Sequence, residues 1–160
     1  MESRSTWRAW GATAMRLMGH YEHTLDDKGR LAIPAKFRDR LGDAVVLTNG
    51  HGMCILGYPA AEWESVEKAM DGLSAARKED VDLLRLIYSR AEDCEIDKQG
   101  RILLPAKLRE YAQIKDAVMV VGMGRWFEIW NKDNWQPEQA RLEVNREQII
   151  QRHGENGLKL

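Results

Sequence analysis

The chain has 160 residues, 44% of them hydrophobic and 31% charged, which is enough to bury one core or two small ones and too apolar for a disordered polymer. With 24 Lys and Arg against 25 Asp and Glu the formal net charge is -1, so no global basic field marks a polyanion partner and any such site must be local. The two cysteines, Cys54 and Cys94, stand far apart without a CxxC pair, which gives no support to a disulfide framework or a thiolate zinc site, and no apolar run approaches the roughly 20 residues of a membrane span.

In chain order, residues 1–17 carry no continuous apolar stretch of the signal-peptide kind and are expected to be a disordered extension, or a wrongly assigned start with Met15 or Met18 as the first residue. Trp7, Arg8 and Trp10 within it are left out of the site. His20–Leu25 is a β-prone run, Asp26-Asp27-Lys28-Gly29 supplies turn residues, and Arg30–Ile33 reads as the returning strand of a tight hairpin. Pro34 ends that strand and opens a short helix over Ala35–Leu41. The apolar runs 44–47 and 53–56 flank Asn49-Gly50-His51-Gly52 and predict a second hairpin. Strands rather than a helix follow such glycines here, which argues against a phosphate loop. Trp63, Val66, Met70 and Leu73, then Val81, Leu84, Ile87, Tyr88 and Ala91, recur at helical spacing. Residues 62–82 in this helical connection hold seven acids against three bases, a solvated face that would repel a polyanion.

The pattern then starts again. Residues 97–109, DKQGRILLPAKLR, repeat residues 26–38, DDKGRLAIPAKFR, with seven identities in thirteen positions. Apolar runs at 117–121 and 126–130 follow around Gly122-Met123-Gly124. A terminal helix is expected beyond them, with Asp133 as N-cap, Pro137 in its first turn and Leu142 and Ile149 seven residues apart, and with a frayed tail after His153. Two copies are too few for an open solenoid and predict a closed, pseudo-two-fold domain. The expected division is 18–70 for the first repeat with its following helix, 71–92 for the helical connection, 93–145 for the second repeat and 146–160 for a C-terminal tail.

Charge gathers at the repeated turn. Lys28, Arg30, Lys36, Arg38 and Arg40 against Asp26, Asp27 and Asp39 make +2 in one copy, and Lys98, Arg101, Lys107 and Arg109 against Asp97 and Glu110 make +2 in the other. Arginine can fork onto a guanine edge or a phosphate, and a two-stranded ribbon fits the major groove. The same residues also suit a plain turn in which the aspartate binds its own backbone and arginine, and a duplicated fold duplicates such turns. His20, His23, His51 and His153 with Cys54 and Cys94 are the conventional nucleophile, base or soft-metal candidates. His20 and His23 would face opposite sides of a strand, and Cys54 lies in an apolar run, so no catalytic constellation assembles and the chain reads as a non-enzyme without metal or cofactor.

The two thirteen-residue motifs, some seventy residues apart, resemble the MraZ family of bacterial transcriptional regulators over roughly residues 18–145, and each copy is similar to the AbrB-type swapped-hairpin DNA-binding unit. The resemblance implies an α+β fold of tandem AbrB-like swapped-hairpin β-barrel units forming an intramolecular pseudo-dimer, with a helical connection and a C-terminal helix. It also implies a ring-shaped homo-oligomer, cytoplasmic and nucleoid-associated, that binds double-stranded promoter DNA at direct-repeat boxes upstream of the division and cell-wall gene cluster. The family's Asp-x-x-Gly-Arg falls on Asp26, Gly29 and Arg30 and again on Asp97, Gly100 and Arg101. Arg30 and Arg101 are then the leading DNA contacts, followed by Lys28 and Lys98, while Gln99 either meets an adenine edge or faces water. Lys36, Arg38, Lys107 and Arg109, at the short helices, are phosphate contacts or solvated charges. The competing reading is a protein-interaction scaffold or antitoxin-like module without specific DNA binding.

Overall fold

The computed structural model of the chain describes residues 16–157. Most of the expected extension, including Met15, Trp7, Arg8 and Trp10, lies outside the described residues, but Leu17 belongs to the fold: it is fully buried and bridges Gly124. Each copy of the repeat produces the same elements in the same order. The first gives β1 (His20–Thr24), β2 (Arg30–Ala32), α1 (Ala35–Leu41), β3 (Ala44–Asn49), β4 (Ile55–Pro59), α2 (Ala60–Met70) and α3 (Lys78–Tyr88). The second gives β5 (Glu92–Glu95), β6 (Arg101–Leu103), α4 (Ala106–Tyr111), β7 (Ala117–Gly122), β8 (Phe127–Asn131), α5 (Lys132–Val144) and α6 (Arg146–His153). Pro34 and Pro105 stand at the N-caps of α1 and α4, where a missing N–H costs nothing.

The local turn forms as read, yet the tight hairpin does not. Gly29 N–H donates to the Asp26 carbonyl at 3.1 Å and Asp26 N–H to the Arg30 carbonyl at 3.0 Å, but β1 and β2 then diverge. β1 lies antiparallel on β7, with His20 opposite Val121 and Thr24 opposite Ala117, while β5 lies on β3, with Ala44 opposite Glu95. Each copy therefore lends its first strand to the other's sheet, in the order β1-β7-β8-β4-β3-β5. β2 pairs instead with β6, which puts Leu31 opposite Ile102. The reason is burial. Leu31 and Ile102 are 0% and 1% exposed in this arrangement, whereas a three-residue strand stopped by proline has little ladder to offer its own neighbour.

The seam between the halves is β4 against β8, with Ile55 opposite Ile129 and Gly57 opposite Phe127. Leu31, Ile33, Phe37, Val45 and Leu47 from one copy and Ile102, Leu104, Leu108, Val118 and Phe127 from the other share one buried cluster, which makes the α+β architecture a single interlocked core. A smaller cluster joins Cys54, Trp130 and Trp135.

Three local expectations at the C-terminal helix are corrected. Asn131, not Asp133, is the N-cap: its Oδ1 accepts from the N–H of Asp133 at 2.8 Å and of Asn134 at 3.4 Å. Pro137 consequently sits inside α5 rather than in its first turn. Leu142 and Ile149 fall in separate helices on either side of Asn145 and form no common stripe. In the connection, α2 buries Trp63 and Met70 as expected, but α3 buries no residue and leaves Leu83, Leu86 and Tyr88 exposed. Among the described residues no helix is long and apolar enough to cross a membrane.

A Cβ at Gly57 would overlap the Phe127 ring across the β4–β8 seam, whereas one at Gly72, past the end of α2, meets nothing within 4 Å. Gly57→Ala should therefore lower unfolding free energy by about 1–3 kcal/mol through overpacking while Gly72→Ala leaves it within about 0.5 kcal/mol, as read by chemical denaturation.

Candidate nucleic-acid interface

Each Asp-x-x-Gly-Arg turn is built around its aspartate. Asp26 Oδ1 accepts from the N–H of Lys28 and of Arg30, both at 2.9 Å, and its Oδ2 accepts from Arg30 Nε at 2.6 Å. Asp97 does the same, with Gln99 and Arg101 N–H at 2.9 Å and Arg101 Nε at 2.9 Å. The glycines make the tight return possible, since Gly29 and Gly100 take φ of 79° and 76°, the left-handed region that disfavours a side chain. The arginine N–H, more than any other group, holds each carboxyl below the usual carboxylate range, with the guanidinium and the second N–H adding to it against a partial desolvation. Both aspartates are thus ionised at neutral pH, and both arginines have a fixed counter-charge.

The exchange of strands brings the two turns together. With Leu31 and Ile102 turned into the core, period-two alternation turns Arg30, Ala32, Arg101 and Leu103 to the outer face of the β2–β6 ribbon. Ile33 N–H donates to the Gly100 carbonyl at 2.8 Å and Leu104 N–H to the Gly29 carbonyl at 3.0 Å, so each turn's glycine extends the other copy's ladder. Arg101 Nη1 comes within 3.9 Å of Asp26 Oδ2, an ion pair between the copies.

The short helices add two more guanidiniums. Arg38 Nε donates to the Ile33 carbonyl at 2.9 Å and Arg109 Nε to the Leu104 carbonyl at 3.1 Å. Arg38 then lies over Gly100 and Arg109 over Gly29, each against the turn of the opposite copy, where a Cβ on the glycine would crowd the guanidinium. Four arginines are therefore held by the same edge, Nε, which orients their terminal amino groups for a forked contact. Burial first, and then the charge of Arg38, pushes the pKa of His23 below its ordinary value, so this imidazole adds no cation at neutral pH.

Of the residues singled out in the sequence, Asp26, Gly29, Arg30, Arg38, Asp97, Gly100, Arg101 and Arg109 meet in one construction. Lys28 and Lys98 are exposed at the two tips, and Lys36 and Lys107 are exposed in the first turns of α1 and α4; none of these four lysines makes an ion pair among the described residues. Lys107 also lines a cleft of about 270 Å³ with Asn49, Arg90, Glu92 and Tyr111. The crossing of Arg38 and Arg109 onto the opposite turns was not legible, because nothing local shows which turn a helix will face. Leu103 shares the outer face of the ribbon with Arg30 and Arg101, a position readable from its place between the inward Ile102 and Leu104. The thiols are in the core: burial raises both, Cys94 to about 11, which leaves neither as a thiolate at neutral pH.

A family model described as "MraZ protein, putative antitoxin-like" matches residues 16–86 and again 87–155, once for each copy of this construction. The chain belongs to the MraZ family. Among its relatives, the transcriptional regulator MraZ of Roseiflexus castenholzii is 42% identical over 138 residues, which is 86% of this chain and 96% of the relative. That of Lactiplantibacillus plantarum is 42% identical over 133 residues, 83% and 94% of the two chains, and that of Thermoanaerobacter pseudethanolicus 44% over 135 residues, 84% and 94%. Membership of the MraZ family makes this chain a transcriptional regulator by class.

A carboxyl whose folded pKa is depressed stabilises the fold above its unfolded pKa and loses that contribution as pH falls through the folded one. The stability gap between the wild type and an Asp26→Ala, Asp97→Ala double variant should therefore be full at pH 7 and narrow once the pH drops below the usual carboxylate range. Denaturant titrations between pH 7 and pH 2.5 check this; a gap that stays constant would contradict ionised anchors.

Proposed function

We propose that the chain is a sequence-specific DNA-binding regulator that engages double-stranded promoter DNA at direct-repeat boxes upstream of the division and cell-wall gene cluster, as a ring-shaped homo-oligomer associated with the nucleoid in the cytoplasm. The observation that carries this reading is the gathering of Arg30, Arg38, Arg101 and Arg109 around one two-stranded ribbon, from both copies of the repeat, on a chain whose net charge is -1. A ribbon of two strands fits the major groove, where arginine forks onto the O6 and N7 of guanine. Lys28, Lys98, Lys36 and Lys107 flank it as phosphate contacts. The acidic stretch of α2 and α3 belongs to the connecting helices rather than to the ribbon, and repulsion from it would favour approach at the turns.

The acids beside the cations leave a net charge of only +2 at each turn, which weakens binding by one chain, because released counterions drive the affinity. Several chains in one particle overcome this by avidity, provided that box spacing matches subunit spacing. The exposed apolar face of α3, with Leu83 at 42% and Leu86 at 58% one helical turn apart, supports self-association.

Arg30→Ala with Arg101→Ala should weaken binding to the promoter duplex at least tenfold, by roughly 1–3 kcal/mol for each lost fork, and flatten its salt dependence while light scattering finds the particle intact. A protein-interaction scaffold would show no specific, salt-dependent promoter binding to lose. Moving one box by half a helical turn should sharply weaken binding by the wild type in a gel-shift series; a Leu83→Glu, Leu86→Glu variant should dissociate and become indifferent to the shift.

A further inference from the structure

The backbone of the β2–β6 ribbon is two-fold, but its outer face is not. Arg30 stands opposite Leu103, and Arg101 stands opposite Ala32. Leu103 is 56% exposed, while its neighbours Ile102 and Leu104 are 1% and 0% exposed and already fill the core, so the side chain at 103 has no packing role to perform inside the fold. A single exposed leucine is ordinary on a protein surface. This one is set apart by its company: it shares a four-residue face with two arginines whose Nε atoms are pinned, and it has only alanine as its symmetry mate. The tips break the symmetry too, with Asp27 and Lys28 on one and Lys98 and Gln99 on the other.

In the major groove the apolar feature available to such a side chain is the 5-methyl of thymine. Residues opposite one another on a ribbon lie about 5 Å apart and successive base pairs about 3.4 Å, so Arg30 and Leu103 can reach the edges of adjacent base pairs. Resting on the reading of the chain as a duplex binder, we propose that Leu103 packs on a thymine methyl next to the base forked by Arg30. Ala32 is too short to make the equivalent contact beside Arg101, and the chain therefore docks on its box in one orientation.

The test uses the full chain and duplexes that it selects from a random-sequence pool, resynthesised with each thymine in turn replaced by deoxyuridine, which removes the methyl alone. Fluorescence anisotropy should find one thymine per box whose replacement weakens wild-type binding about four-fold. Leu103→Ala should bind the unmodified duplex about four-fold more weakly than the wild type and be indifferent to that replacement. A wild type indifferent to every replacement, or a Leu103→Ala chain that keeps the full sensitivity, would overturn the contact while leaving duplex binding in place; the first of these outcomes needs no variant. Failure to select any duplex, with Arg30→Ala and Arg101→Ala changing nothing, would instead overturn the duplex reading itself and this inference with it.

Discussion

The exchange of first strands is the constraint on which the rest of the molecule hangs. β1 completes the sheet of the second copy and β5 that of the first, so neither copy closes its own core. The two Asp-x-x-Gly-Arg turns sit where the exchanged strands hand over to β2 and β6, and the pairing of Leu31 with Ile102 fastens them side by side. The candidate interface is therefore a product of the interlock and has no counterpart in a single repeat. Because His20 pairs with Val121, the decisive ladder joins residues distant in sequence, the kind of non-local contact that goes with slower folding.

Within that frame the turns trade raw charge for orientation. Each arginine at a turn is matched by an aspartate, which lowers the net field of the face, yet the same aspartate locks the turn through two N–H groups and fixes the guanidinium by its Nε edge. Arg38 and Arg109 are held likewise by carbonyl oxygens. A ligand meeting four prearranged guanidiniums has less side-chain freedom to freeze than one meeting loose lysines. That arrangement favours discrimination over attraction on a chain that is nearly neutral overall.

Much of this was legible in the chain. The seven identities between residues 26–38 and 97–109 announced a pseudo-two-fold domain, and the turn, proline and helix-spacing signals placed nearly every element. The hairpin partner of β1 was misread because turn chemistry reports that the chain reverses, not which strand lies alongside afterwards; a run such as His20–Leu25 pairs wherever most apolar surface is covered. Asn131 beat Asp133 as a cap because β8 runs straight into α5, leaving no linker in which Asp133 could stand outside the helix. Arg38 and Arg109 had the right residue types for a site, but their meeting with the opposite turns depends on tertiary placement. The outward position of Leu103 is readable from its place between Ile102 and Leu104, but an outward leucine by itself names no contact.

If both turns of one chain form a single face for one stretch of duplex, a cryo-electron microscopy structure of the chain on its selected duplex will show them together there. The β2–β6 ribbon should then lie in the major groove, with the guanidiniums of Arg30 and Arg101 from the same chain at hydrogen-bonding distance from one DNA segment. Duplex seated on α3 or on the six-stranded sheet, or held by only one of the two turns, would contradict this arrangement.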